Sequence, residues 1–100
     1  MVALPDWSYR ADYIATRSSR RPGDTDILPA WADEAFSDPE AVVIEPDYAS
    51  RSGRSVRTIG MSFSAGFVIT VITVVDEGRT WGVNAWRSSE ADIRHYLVGN

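Results

Sequence analysis

The segment Asn84-Ala85-Trp86-Arg87-Ser88-Ser89-Glu90-Ala91-Asp92-Ile93-Arg94-His95-Tyr96 gathers side chains suited to handling a phosphate. Arg87 stands where a strand pattern gives way to a helix pattern. A guanidinium and unpaired backbone N–H groups converge at such a junction, and both bind anions. Trp86 offers a ring on which a nucleobase can stack, worth about 1–3 kcal/mol per base. Thr80 and Asn84 alternate with Trp86 on one strand face and leave a shallow polar groove below the ring. Arg54 and Arg57 open an earlier strand on opposite faces, so one of them can turn to that groove. His95 and Tyr96 are helical neighbours about 100° apart. Tyr96 joins an apolar stripe and His95 leans toward the edge.

Each residue also has a plainer reading. Trp86 can be a lid over the core, Arg87 a surface partner of Glu90, His95 a solvated side chain and Tyr96 part of the core.

One reaction suits this set. RNA can be cleaved by its own 2′-hydroxyl if a protein orients the phosphate and stabilises the charge that builds on it. Arginines, a stacking tryptophan and a lone histidine suffice, and no cofactor is expected. Other chemistries find less support. The chain has no cysteine and one histidine, hence no thiolate nucleophile and no histidine-rich metal site. It carries no G-x-S-x-G, P-loop, dinucleotide glycine fingerprint or H-E-x-x-H.

One hundred residues with 44% hydrophobic content make one domain. The longest apolar run, Phe67 to Val75, is too short for a membrane helix, which needs about 20 residues. The N-terminus shows no signal-peptide pattern. A cytoplasmic protein without membrane association is the expectation. All ten basic residues are arginine. Residues 1–50 carry four of them against ten carboxylates, and residues 51–100 carry six against four. A GC-rich genome explains the bias toward arginine. A phosphate-binding C-terminal half explains it too, since guanidinium groups grip phosphate in a bidentate manner. The overall charge of −4 argues against strong non-specific nucleic-acid binding.

The elements that must position these residues follow from pattern. Residues 6–19 read as a helix capped by Asp6, and residues 20–26 as a loop around Pro22-Gly23. Residues 29–39 form a short helix with Pro29 at its start and Trp31, Ala35 and Phe36 on one side. Strands are expected at 41–46, 54–62, 67–76 and 79–86. The third is apolar on both faces and therefore central. Asp76-Glu77-Gly78 makes a hairpin turn. Residues 88–98 form a helix capped by Ser88 or Ser89, with Ile93, Tyr96 and Leu97 as its apolar stripe. In the fourth strand Trp81, Val83 and Ala85 read as the core face, and Thr80, Gly82, Asn84 and Trp86 as the open one. The expected fold is α+β: a four-stranded antiparallel meander, two N-terminal helices and one C-terminal helix, all helices on one face.

Three stretches then carry a resemblance: "EAFSDPEAV", "RSVRTIGMSFSAGFVITVIT" and "GVNAWRSSEADIRHY". In this order they resemble BrnT-type toxins of bacterial toxin–antitoxin pairs, ribonucleases with a RelE-like fold. The likeness covers roughly residues 29–97 and is weak over 1–28. It sets Asn84-Ala85-Trp86 where the family has Ser-Ala-Arg, with Arg87 one place later. Ser89 falls on the family threonine, Asp92 on its glutamate and Tyr96 on its tyrosine. Arg54 or Arg57 falls on the arginine before the strand. The resemblance implies a toxin that cleaves RNA, expected to be mRNA, on or off the ribosome, and so stops translation and growth. It also implies a separately encoded, DNA-binding antitoxin as partner. Trp86 in place of arginine and the acidic balance support an alternative, a non-catalytic protein-interaction module on the same fold.

Overall fold

The computed structural model describes residues 3–99. Its elements are α1 (Ala11–Ala15), α2 (Arg17–Arg20), α3 (Pro29–Ser37), β1 (Val42–Ile44), β2 (Ser55–Ser62), β3 (Phe67–Asp76), β4 (Arg79–Arg87) and α4 (Glu90–Val98). The strands form one antiparallel sheet in the order β1-β2-β3-β4. The expected α+β layout is present, with β3 inside the sheet. Glu77 and Gly78 both have positive φ at the β3–β4 turn, the backbone that a tight two-residue hairpin requires. No described helix is long and apolar enough to cross a membrane.

The helix expected at 6–19 is shorter and divided. Asp6 does not enter it. Its N–H donates to Thr80 O and its carbonyl accepts from Gly82 N, which attaches the chain to the outer edge of β4. Its carboxylate turns to Ser8 and Arg79. Hydrogen bonds from Ser8, then Arg79, hold that carboxyl down at about 2. Helix α1 ends at Thr16, which lies at φ −125, ψ 31. The Thr16 hydroxyl bonds back to Asp12 O, a contact that competes with helix continuation.

Helices cover both faces of the sheet, not one. The register makes Gly60 and Ile69 neighbours on one face and Ile59 and Thr70 neighbours on the other. Helix α3 rests on the first face, with Ala35 O against Gly60. There Trp7, Ile14, Ile27, Ala32, Ala35, Ile69, Val71 and Ala85 form the main core. A fully buried side chain such as Ile14 or Ile69 stabilises by about 1.5–3 kcal/mol. Helix α4 covers the second face. Its innermost side chain is Asp92, 0% exposed, whereas Leu97 of the expected apolar stripe is 75% exposed. The stripe gives way because Arg57 and Thr70 on the sheet draw a carboxylate inward.

Strand β4 departs from simple alternation as well. Asn84 pairs with Ile72 and Gly82 with Thr73, leaving Val83 unpaired in a bulge. The bulge brings Gly82 and Ala85 to the same side. A Cβ at Gly82 would meet the Trp7 ring, so Gly82 belongs to the covered face and the open groove expected through Thr80, Gly82, Asn84 and Trp86 is interrupted.

Candidate functional site

A cleft of about 540 Å³ lies beside the C-terminal half of β4. It is lined by Asn84, Trp86, Arg87 and Ser88 on one part and by Arg17 of α2, and Arg21 and Asp24 of the following loop, on the other. Three residues singled out from sequence, Asn84, Trp86 and Arg87, therefore meet in one place. Arg17 Nη1 donates to Asn84 Oδ1 at 3.0 Å, and Nη2 pairs with Asp24 at 3.2 Å. The Arg17 guanidinium lies 5.9 Å from the Trp86 ring centroid. Arg87 projects on the α3 side, its guanidinium 4.7 Å over the Phe67 ring. Among the described residues, neither Arg21 nor Arg87 forms an ion pair with a carboxylate, so both can receive an anion.

Arg57 sits below this cleft and is already engaged. Its Nε donates to Asp47 Oδ1 at 2.7 Å, and Nη1 donates to Asp92 Oδ2 at 2.6 Å and to the Tyr48 hydroxyl at 2.9 Å. The Tyr48 ring lies 4.3 Å from the guanidinium on one side, with Trp86 5.3 Å from it. Tyr48 also donates to Asp92 Oδ1 at 2.8 Å, and Thr70 to Asp92 Oδ2 at 2.7 Å. Because the Thr70 proton goes to Asp92, Ser88 must be the donor in its 2.7 Å contact with Thr70. A chain of hydrogen bonds thus runs from Ser88 on the cleft wall to the buried Asp92–Arg57–Asp47 group. Burial pushes the Asp92 carboxyl up, but the bonds from Thr70 and Tyr48 and the Arg57 charge outweigh it and hold it below its ordinary value. Burial works against the Arg57 charge too, yet the two aspartates raise it further. The expected phosphate-orienting role of Arg57 gives way to an internal one: its cation supports Trp86 from within.

The remaining expected site residues lie apart from the cleft. Arg54 is exposed and pairs with Asp76 at 3.3 Å. Thr80 faces Val75 near the hairpin turn. Thr80 and Arg87 occupy opposite ends of β4, about 20 Å apart at about 3.3 Å of rise per residue. His95 is exposed on α4, its ring 6.4 Å from that of Tyr48, and does not line the cleft.

Tyr96 is half-buried, and its hydroxyl donates to Asp38 Oδ2 at 2.6 Å. The bond to that carboxylate, then burial and the negative charge of Asp38 and Glu40, push the phenol up to about 12. Its contribution to stability is complete below pH 10, the ordinary tyrosine value, and is lost as pH rises toward 12, because the unfolded chain ionises first. Spectrophotometric titration should show a late phenol that disappears in Tyr96→Phe. An unchanged titration curve in that variant would contradict the assignment.

Arg17 and Arg21 complete the lining, although sequence pattern alone does not single them out. The signal present was Arg17, Arg20 and Arg21 beside the Pro22-Gly23 turn, hidden by the acidic average of the first fifty residues. Among the described residues, no three His, Cys, Asp or Glu side chains converge as a metal site. Compared with known protein families, curated proteins and solved structures, the chain matches none.

Proposed function

We propose that the chain is a toxin-type ribonuclease that binds single-stranded RNA in the β4 cleft. The observation that carries this reading is that Arg21 and Arg87, without carboxylate partners among the described residues, both line a cleft that Trp86 also lines. In this reading the two guanidinium groups hold the scissile phosphate and the Trp86 ring stacks an adjacent base. The substrate 2′-oxygen attacks phosphorus, the P–O5′ bond breaks, and the 2′-proton leaves to solvent while the 5′-oxygen gains one. The products are a 2′,3′-cyclic phosphate and a 5′-hydroxyl. Arg21 and Arg87 stabilise the charge that accumulates on the phosphate oxygens. The reading entails a cytoplasmic bacterial protein that inhibits translation by cutting mRNA, free or on the ribosome, and that a separately encoded DNA-binding antitoxin restrains.

One observation favours a second reading, the non-catalytic interaction module. Neither His95 nor Tyr96 lines the cleft, and its one carboxylate, Asp24, is paired with Arg17. No strong general base therefore faces a bound 2′-hydroxyl.

Induced expression of the chain, with growth and protein synthesis followed together, and incubation of the pure protein with RNA separate the two. The ribonuclease reading expects growth arrest and cyclic-phosphate ends. The surface double variant R21A/R87A should lower the cleavage rate by about 100-fold or more while remaining folded, in line with the loss of positioned charge donors. Intact RNA at every protein concentration would establish the binding module instead. Undiminished cleavage by R21A/R87A would dismiss this cleft.

A further inference from the structure

A second depression, about 200 Å³, adjoins the cleft and shares Arg17, Arg21 and Asp24 with it. Its remaining walls are Tyr13 and Arg20. The Arg20 guanidinium lies 4.0 Å from the Tyr13 ring centroid, and that of Arg10 lies 4.8 Å from the same ring. Arg20 also donates to Tyr13 O and Thr16 Oγ1. Two cations are therefore held on one tyrosine at the start of α1 and the end of α2. A guanidinium fixed by stacking loses less rotamer freedom when it takes up a phosphate.

The distribution of the arginines is uneven in the same direction. Among the described residues, Arg10, Arg20, Arg21, Arg51, Arg87 and Arg94 have no ion-pair partner. Arg21 and Arg87 line the cleft, and Arg10 and Arg20 flank the ring that walls the neighbouring depression. The carboxylates of the same stretch are partly engaged: Asp24 holds Arg17, and Asp26 accepts from the Ser18 backbone and hydroxyl.

We propose that Arg10 and Arg20, mounted on Tyr13, form a phosphate rail that carries the flanking nucleotides of a single RNA strand away from the β4 cleft. The inference rests on the ribonuclease reading and extends it. The preferred substrate is an extended single strand several nucleotides long, gripped through its backbone beyond the point of cleavage, and not a mononucleotide or a dinucleotide.

The test measures affinity of the full chain for 2′-O-methyl oligonucleotides, which lack the attacking hydroxyl and stay intact. A dinucleotide and an octanucleotide are compared across a salt series, with the wild type, R10A/R20A and R21A/R87A. The octanucleotide should bind the wild type about 100-fold more tightly at low salt. R10A/R20A should weaken octanucleotide binding by about 10-fold or more and leave the dinucleotide unaffected. It should also lower the slope of log affinity against log salt by about 1.4, since each phosphate contact on a single strand contributes about 0.7. A purely structural role for Arg20 at the end of α2 would not move that slope. Equal octanucleotide affinity and slope in R10A/R20A and wild type would overturn the rail. The cleft would then still stand if R21A/R87A lost dinucleotide binding. No binding of either oligonucleotide to the wild type would remove both ideas together.

Discussion

Asp92→Ala is expected to destabilise the fold by about 3–5 kcal/mol, the range found when one partner of a buried ion pair is removed. Asp92 accepts from Arg57, Tyr48 and Thr70. Without it, the Arg57 cation stays below the protein surface with Asp47 alone, and two hydroxyl groups lose their acceptor. Domains of this size are stable by about 5–15 kcal/mol in total, so the loss takes a large fraction of the whole and should lower the urea midpoint sharply. Asp92→Asn keeps the shape and removes the charge, and should fall between the two. The acid limb follows the same logic. The Asp92 carboxyl is held below its ordinary value of 3.8. Its contribution is therefore complete above about pH 4 and is lost as pH falls through the lower, folded value. Urea unfolding followed by tryptophan fluorescence checks both points. A change under about 0.5 kcal/mol in Asp92→Ala would mean that the network does not hold α4 to the sheet.

Gly60→Val should be comparably severe, about 3 kcal/mol, at the upper end of what overpacking costs. Even the first carbon of a side chain at residue 60 would lie 2.0 Å from Ala35 O and 2.8 Å from its carbonyl carbon. These are backbone atoms of α3, so no rotamer change relieves the contact and the helix must lift from β2. A second substitution distinguishes this cause from ordinary crowding. Ala35→Gly removes the methyl but leaves the carbonyl, so it should not rescue Gly60→Val. Rescue, measured by chemical denaturation, would show that side-chain crowding was responsible. Both substitutions act on the scaffold. The arginine exchanges at residues 10, 20, 21 and 87 alter exposed side chains, so a change in RNA binding or cleavage there can be read without a collapse of the fold.

Much of the fold was legible in residue pattern. Ile69 to Thr73 are buried on both faces because α3 lies on one side and α4 on the other, whereas Val75 beyond them is 55% exposed, and Asp76-Glu77-Gly78 turns as its composition implies. The face assignment in β4 was not legible. Alternation assumes a regular ladder, and the Val83 bulge reverses the phase between Gly82 and Ala85. The division of the helices between two faces was hidden for a related reason. The inner side of α4 is led by Asp92, which a search for apolar stripes assigns to solvent. Asn84, Trp86 and Arg87 were found because they are close in sequence. Arg17 and Arg21 are distant in sequence and meet them only through packing of the N-terminal segment on β4. Residue type alone points to Arg57, and its carboxylate partners come from a loop and from α4, a combination no local window contains.

The Asp6 bridge leaves the second half of β4's outer edge beyond its reach. In that stretch Arg17 Nη1 donates to Ala85 O at 3.4 Å as well as to Asn84, and α2 stands beside it. An unguarded strand edge is a template on which a second molecule can extend the sheet. Arg17 occupies, at Ala85 O, an acceptor that an added strand would need. The same guanidinium, through Asn84, ties α2 to the wall of the cleft, so one side chain both covers an edge acceptor of β4 and shapes the depression beside it.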